Sequence, residues 1–298
     1  EPGALVDVAE CPVLPEDANR VLQEVRGGLG ATGPGGMVGR ADPRGRRLVL
    51  RHSAADGGVL VIFRGQGREW AGSPAEMKRI GSLPEVVGGV ALTGLAVRRG
   101  GVRSRVLAGR DFLVEESGGV RFKVPAATFF QVNPAAAVAL VDQVVEMAAP
   151  LKPGDTALDL YGGVGVFAWA LSAAGARVTV CEADPHGVDV GREGVGSPRC
   201  PDFQCDDVGR FLARAQASPR PQVVVANPPR TGFGKGVAAG IAAAGGEKIV
   251  LVSCDPGTLA RDLKPLMNAG YQLARVVPVD LFPQTAHVET VSLLMRSG

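Results

Sequence analysis

The sequence predicts an α/β fold built on a mainly parallel sheet covered on both faces, preceded by a smaller α+β domain. Two observations predict it. From about position 156 onward, short apolar segments of β type alternate with α-type segments, as strands joined by crossover helices do. Before about position 120 the chain reads instead as short strands separated by glycine-rich turns. The change near Val120 divides the chain into 1–122 and 123–298. A length of 298 residues accommodates both parts, and a hydrophobic fraction of 46% supports packed cores.

In the first part, Leu14, Ala18, Val21, Leu22 and Val25 recur at helical spacing. Arg47-Leu-Val-Leu-Arg51 and Gly58-Val-Leu-Val-Ile-Phe63 read as strands, residues 74–80 as the start of a helix, and residues 89–97 and 105–107 as further strands. In the second part, Pro134 opens an Ala/Val-rich helix to Ala149, with Asn133 as N-cap and proline at the first helical position. Then follow a strand at Thr156-Ala-Leu-Asp-Leu-Tyr161, a helix over 166–174, and strands at Arg177-Val-Thr-Val-Cys181, Pro221-Gln-Val-Val-Val-Ala226 and Lys248-Ile-Val-Leu-Val-Ser253. Glu289-Thr-Val-Ser-Leu-Leu-Met-Arg296 suits a last strand.

Composition excludes several classes. No run of eighteen or more apolar residues suggests a membrane span, and no basic, then apolar, leader opens the chain. The start at Glu1 rather than Met fits a chain trimmed at its N-terminus. Five cysteines, an odd number without short paired spacing, argue against a disulfide framework and for a reducing cytoplasm. The net charge of +2 says little about partners. Its distribution says more: Arg40, Arg44, Arg46, Arg47 and Arg51 form one cluster, and Arg98, Arg99, Arg103, Arg105 and Arg110 another. Such clusters track a phosphate backbone or simply solvate a surface, and charge alone does not choose.

Asp159-Leu-Tyr-Gly-Gly-Val-Gly-Val-Phe167 is a strand running through a glycine turn into a helix. Glycines at 162, 163 and 165 let the backbone bend tightly and a ligand approach closely. The next strand ends at Glu182, the position at which a carboxylate grips a ribose diol. A dinucleotide site requires a third glycine, where Ala168 stands. Asp159, just before the turn, suits the amino group of S-adenosylmethionine, so the methyl donor is favoured. Asp207 then follows the third strand, placed for the adenine.

In an open α/β sheet, chemistry sits at the carboxyl ends of the strands. Asn227-Pro-Pro-Arg-Thr-Gly232 follows one apolar strand and Ser253-Cys254-Asp-Pro-Gly-Thr-Leu-Ala-Arg-Asp262 the next. A lone cysteine is more often an inert core residue than a nucleophile. The position of Cys254, between Ser253 and Asp255, favours the nucleophile.

With these two motifs, Phe129-Phe130-Gln131-Val132-Asn133, the Asp159 turn and Phe282-Pro-Gln-Thr-Ala-His-Val-Glu289 occur in order. The chain thereby resembles the RNA uridine-5-methyltransferases, which make 5-methyluridine in 23S rRNA or tRNA. The resemblance is strong from Thr128 to the C-terminus and loose before it. It implies a Rossmann-like methyltransferase sheet, a cytoplasmic enzyme and an RNA partner. It also implies roles for single residues. Cys254 matches the nucleophile and Glu289 the proton-abstracting base. Gln131, Tyr161, Glu182 and Asp207 match cofactor-contacting positions, joined by Asp159, Gly163 and Asn227. Phe129 matches a residue that helps hold the target base. No metal, membrane or obligate protein partner is implied.

The chain departs from that pattern in three places. The family has Asp where Asn227 stands, so the carboxylate's charge is lost there. Cys11-Pro-Val-Leu14 resembles the last ligand of an iron–sulfur cluster carried by some rRNA-directed members. No cysteine precedes it in this chain, and a cluster requires four thiolates, so none is expected here. The family's small N-terminal β-barrel is not expected within this stretch of sequence. Cys11 tilts the expected substrate towards 23S rRNA. The rival readings are a tRNA uridine-5-methyltransferase, an amino-directed enzyme using Asn227-Pro-Pro, and a non-catalytic RNA-binding protein. His287 orients Glu289 or caps a turn. Arg230 and Arg261 bind phosphate or pair with Asp255 and Asp262. Cys254 must ionise, so a neighbouring donor or positive charge is expected to lower its pKa.

Overall fold

The computed structural model describes residues 10–12, 14–29, 47–65, 86–87, 90–99, 105–126, 128, 130–131, 133–196, 199–215 and 220–297. The helix expected over 74–80 and the base-holding Phe129 lie outside them. The chain divides into two compact units, Glu1–Glu115 with Lys123–Thr128, and Glu116–Phe122 with Phe129–Gly298.

The first unit opens on α1 (Glu16–Leu29), whose first turn carries Glu16 and Asp17, favourable charges at a helix N-terminus. Asn19 ties the preceding turn to the helix: its Oδ1 accepts from the Cys11 N–H at 2.9 Å, and its Nδ2 donates to the Cys11 carbonyl at 2.9 Å. The strands are β1 (Arg47–His52), β2 (Val59–Gly65), β3 (Val86–Val87), β4 (Val90–Arg99) and β5 (Arg105–Gly109). They form a sheet of order β1-β2-β4-β3, with β5 also on β4. Val59 to Ile62 are fully buried, which explains the unbroken apolar run in β2. A hairpin, β6 (Phe112–Ser117) and β7 (Val120–Pro125), follows. Its residues alternate strictly between buried and exposed or half-buried. Within this unit Leu113 and Ala126 pack with Leu60 and Ile62.

Two members of the arginine clusters have described side chains, and both serve the fold. Arg51 donates to the Pro125 and Thr128 carbonyls at 3.1 and 3.0 Å. Arg110 pairs with Asp56 and lies 4.8 Å from the Phe112 ring centroid. Neither is a spare cation for a phosphate backbone.

The second unit begins its regular structure with α2 (Pro134–Ala148), capped by Asn133, whose Oδ1 accepts from the Ala136 N–H at 3.2 Å. The strands β8 (Thr156–Leu160), β9 (Arg177–Glu182), β10 (Asp202–Cys205), β11 (Val223–Ala226), β12 (Lys248–Ser253), β13 (Tyr271–Val279) and β14 (Glu289–Arg296) form one sheet of order β10-β9-β8-β11-β12-β14-β13. Its connecting helices are α3 (Val166–Ala173), α4 (Pro185–Arg192), α5 (Val208–Ala215), α6 (Val237–Ala244) and α7 (Pro256–Asn268). The first five strands in this order run parallel, and β14 runs antiparallel to β12 and β13. Leu212, Ile241 and Leu266 of α5, α6 and α7 pack with Leu160, Val224 and Leu251 of the sheet in one buried cluster. Burying three such helix faces supplies most of the drive for this layer, at about 25 cal/mol per Å² of apolar area removed from water.

The strand order reverses between β8 and β11, because the chain builds outward to β10 and then returns to the other side of β8. Ligands of open α/β sheets bind in the crevice at such a point, outside the strands' carboxyl ends. The turns carrying Tyr161, Asn227 and Cys254 all leave that edge.

Candidate active site

β8 leads into a turn that L-residues enter reluctantly. Tyr161 has φ 60°, Gly163 φ 58° and Gly165 φ 79°, and Gly165 caps α3. A Cβ at Gly165 would lie 2.6 Å from the Phe203 ring, so glycine is required by both conformation and space. Glu182, at the end of β9, holds the turn from the neighbouring strand. Its two oxygens accept from the Gly163 N–H at 2.9 Å and the Asp184 N–H at 2.7 Å.

Asp159 lies under the same turn and is wholly buried. Its Oδ2 accepts from the Ala168 N–H at 3.1 Å, while Oδ1 has no partner. Burial pushes its carboxyl up to about 7, with the Glu182 charge adding to the rise and the Ala168 bond opposing it. An unpartnered buried carboxylate oxygen is costly to keep. A cation seated on this turn would satisfy it.

Tyr161 packs its ring against the core cluster. Its hydroxyl accepts from the Gly234 N–H near Asp207 and Asp262, and burial pushes it up to about 12. Asp207 follows β10 and accepts the Arg210 N–H at 3.1 Å, closing the first turn of α5. Asn227 leaves β11 with its N–H donating to the Leu160 carbonyl at 3.2 Å, which puts it beside the end of β8. Gln131 is half-buried, and no hydrogen bond joins it to these groups.

Strand register brings the other pair together. Ser253 of β12 stands opposite Thr290 of β14. The ladder ends there; Cys254 and Glu289 are the next residue on each side, and the Glu289 charge acts on the Cys254 thiol. Glu289 is buried, and its Oε2 lacks a partner. Burial raises its carboxyl above the usual range, and the Arg230 guanidinium opposes the rise. Cys254 is half-buried. Its thiol is raised by burial and then by Glu289, while Arg230 again pulls the other way. The expected lowering of the Cys254 pKa is therefore reversed. The positive charge is present, but desolvation and a neighbouring carboxylate outweigh it.

Arg230 thus faces both groups, a placement that its sequence position had left open between phosphate binding and pairing with Asp255. Asp255 caps α7 by accepting the Thr258 N–H at 2.7 Å, and the Arg230 charge also helps to hold its carboxyl low. Arg261 pairs with Asp262 at 2.8 Å. His287 is exposed, edge-on to Phe282 with ring centroids 6.1 Å apart, and does not orient Glu289. The proline pair in Asn227-Pro-Pro-Arg230 was the available signal for Arg230: it stiffens the segment that delivers a cation to the mouth of the sheet. Among the described residues, no group of three or more His, Cys, Asp or Glu is placed to hold a metal ion. No described helix is long and apolar enough to cross a membrane.

Comparisons with known proteins bear on the chain's family. Residues 218–297, which span β11 to β14 with Arg230, Cys254 and Glu289, match the family model tRNA (Uracil-5-)-methyltransferase. An uncharacterized RNA methyltransferase of Thermotoga maritima is 32% identical over 98% of this chain and 67% of its own length. Another, of Thermosynechococcus vestitus, is 34% identical over 98% of this chain and 66% of its own length. The chain thus spans about two thirds of these relatives. Among solved structures, a Pyrococcus abyssi tRNA (uracil-54, C5)-methyltransferase in complex with S-adenosyl-L-homocysteine shares the fold. Its TM-score is 0.72 at 24% identity, over 98% of this chain and 70% of that one. The chain belongs to a family of RNA methyltransferases, and its C-terminal part carries the match to the uracil-5 model.

Proposed function

We propose that the protein methylates C5 of a uridine in RNA by way of a covalent bond from Cys254 to C6. The observation that supports this most is the closeness of Cys254 and Glu289, just past the last paired residues of the β12–β14 ladder, with the Arg230 charge acting on both. An amino-directed reaction at Asn227 would need neither group.

The residues beneath the glycine turn fit S-adenosylmethionine, because the buried, unpartnered Asp159 Oδ1 offers an anionic acceptor for its ammonium group. Asp159 and Gly163 would hold the methionine end, Glu182 the ribose, and Asp207, Tyr161, Gln131 and Asn227 the remainder. When bound, that cofactor supplies an electrophilic methyl group to C5.

The protein's own residues perform the rest. The Cys254 thiolate forms an S–C6 bond, and the C5=C6 electrons move towards O4, leaving C5 electron-rich. Arg230 stabilises the thiolate before this addition. Once C5 carries the methyl group, Glu289 removes the C5 proton, the C5=C6 bond reforms, and the S–C6 bond breaks to release the thiolate. C5 and C6 of a stacked base are inaccessible, so the uridine must turn out of its helix at a cost of roughly a few kcal/mol.

Asp159 has a distinct pH signature. Its carboxyl rises from 3.8 to about 7 on folding. The folded chain therefore keeps a proton that the unfolded chain has lost in that window, and stability falls as pH rises through it. Asp159→Asn removes this penalty. The variant is expected to melt higher than the parent above pH 7 and to bind S-adenosylmethionine roughly tenfold or more weakly. Undiminished binding by calorimetry would take Asp159 out of the cofactor site.

The resemblance of Cys11-Pro-Val-Leu14 to a cluster-bearing segment favours 23S rRNA over tRNA. Nucleoside mass spectrometry of both RNAs, each unmodified and incubated with the protein and S-adenosylmethionine, tests the whole reading. New 5-methyluridine in the 23S pool is expected. The same product in tRNA alone would correct the RNA class, and methylated adenosine, guanosine or cytidine would overturn the C5 assignment.

A further inference from the structure

The segment carrying Arg230 is tied to the helix that starts just after Cys254. Thr258 Oγ1 donates to the Arg230 carbonyl at 3.1 Å. Arg261 Nη2 donates to the Thr231 carbonyl at 2.7 Å. The Phe233 N–H donates to Asp262 Oδ2 at 2.8 Å, while Asp262 Oδ1 accepts from Arg261 Nε and Nη2 at 3.0 and 2.8 Å. Asp262 is only 5% exposed, so its hydrogen bonds go to these partners rather than to water.

Gly232 shows how close the two segments lie. Its φ is 74°, and a Cβ there would lie 2.0 Å from Arg261 Nη2 and 2.3 Å from Asp262 Oδ2. Upstream, Pro228 and Pro229 restrict the backbone. The Gly232 N–H closes a turn onto the Pro229 carbonyl at 2.7 Å. The backbone of Arg230 is thus held on both sides, although its side chain is exposed. A long exposed arginine on a free loop would lose the freedom of both its side chain and its loop on settling near one thiol. A fixed backbone removes the additional cost of ordering the loop.

We propose that Asp262, acting through Arg261 and with Thr258, is a positioning residue that holds Arg230 against Cys254 and Glu289. This rests on Cys254 being the nucleophile. The design links two strand ends: the cysteine at the foot of α7 and the arginine after β11 move as one piece. An ion pair that only stabilised the fold would leave the thiol's chemistry unchanged when weakened. A positioning residue would not. The charged groups facing the thiol are Glu289 from β14 and Arg230 from the loop, with the helix-capping Asp255 next in the chain.

The test reads Cys254 itself. Iodoacetamide labelling of the full chain is followed against pH, with Cys254 resolved from the other cysteines by peptide mass spectrometry. Asp262→Asn keeps an acceptor for Phe233 but loses the charge for Arg261. Thr258→Val loses only the hydroxyl. Each is expected to move the labelling profile to higher pH and to slow labelling at neutral pH by roughly three- to tenfold. Arg230→Gln should do the same, and adding Asp262→Asn to it should produce no further shift. Thr258→Ser should restore the parent profile. A parental profile in both Asp262→Asn and Thr258→Val, or additive shifts in the double variant, would overturn the proposal. If Asp262→Asn fails to fold, Thr258→Val decides. Methyl transfer by Cys254→Ser is measured separately: turnover there would sink the nucleophile, while the labelling result still decides the clamp.

Discussion

Cys254→Ala is expected to abolish methyl transfer, with turnover down by roughly 10³-fold or more. C5 of uracil is too weak a nucleophile to take a methyl group unaided, and the other described cysteine at a strand's carboxyl end, Cys205, lies on the edge strand β10, on the opposite side of the sheet from β14 and Glu289. Cys181 is buried within β9, where burial pushes its thiol up to about 12. The same variant should form no boiling-stable complex with RNA carrying 5-fluorouridine at the target, whereas the parent should be trapped because fluorine cannot leave as a proton does. An adduct formed by Cys254→Ala would remove the nucleophile from this position. In the parent, the rate of trapping should climb with pH, since burial and Glu289 raise the thiol and only the thiolate attacks.

Glu289→Gln should produce the opposite picture. Addition and methylation proceed, but the C5 proton has no acceptor, so the protein–RNA complex accumulates on ordinary uridine and product release slows by roughly 10²- to 10⁴-fold. Glutamine retains the shape and the strand register, so the comparison isolates the proton. Because burial raises the Glu289 carboxyl, the parent's base is supplied only above that raised value, and its activity falls as pH drops through it. Denaturing gels of the variant with unmodified RNA check this directly. Rapid turnover without an accumulated adduct would assign the base elsewhere.

The alternating half of the fold was legible because its signals are local. Lys248–Ser253 and Glu289–Arg296 are strands at the bounds their apolar runs predict, and Asn133 caps the helix it was expected to cap. β13 was not legible. Most of its residues are exposed, including Leu273 and Val276, and it carries Pro278. An edge strand exposed on both faces has neither alternation nor a continuous apolar run. The hairpin over Phe112–Pro125 was missed although its alternation is strict and Gly118-Gly119 is a hairpin turn signal. In the site, Cys254, Glu289, Asp159 and Glu182 were named from motif and position. The role of Arg230 was not, because it depends on β11, β12 and β14 lying side by side. The sign of the thiol's shift escaped for a related reason: sequence displays the arginine, but burial and the carboxylate opposite appear only once β14 is paired.

The position of β14 has a consequence for how activity is acquired. It follows β13 in the chain yet lies between β12 and β13. β13 pairs with no strand but β14, so both join the sheet only through the pairing of β14 with β12. That pairing joins segments far apart in the chain, and such non-local contacts form slowly. Until then the cysteine stands without the carboxylate that completes its chemistry. A nascent or partly opened chain can therefore carry the thiol and still be inert, and competence arrives as the sheet is sealed.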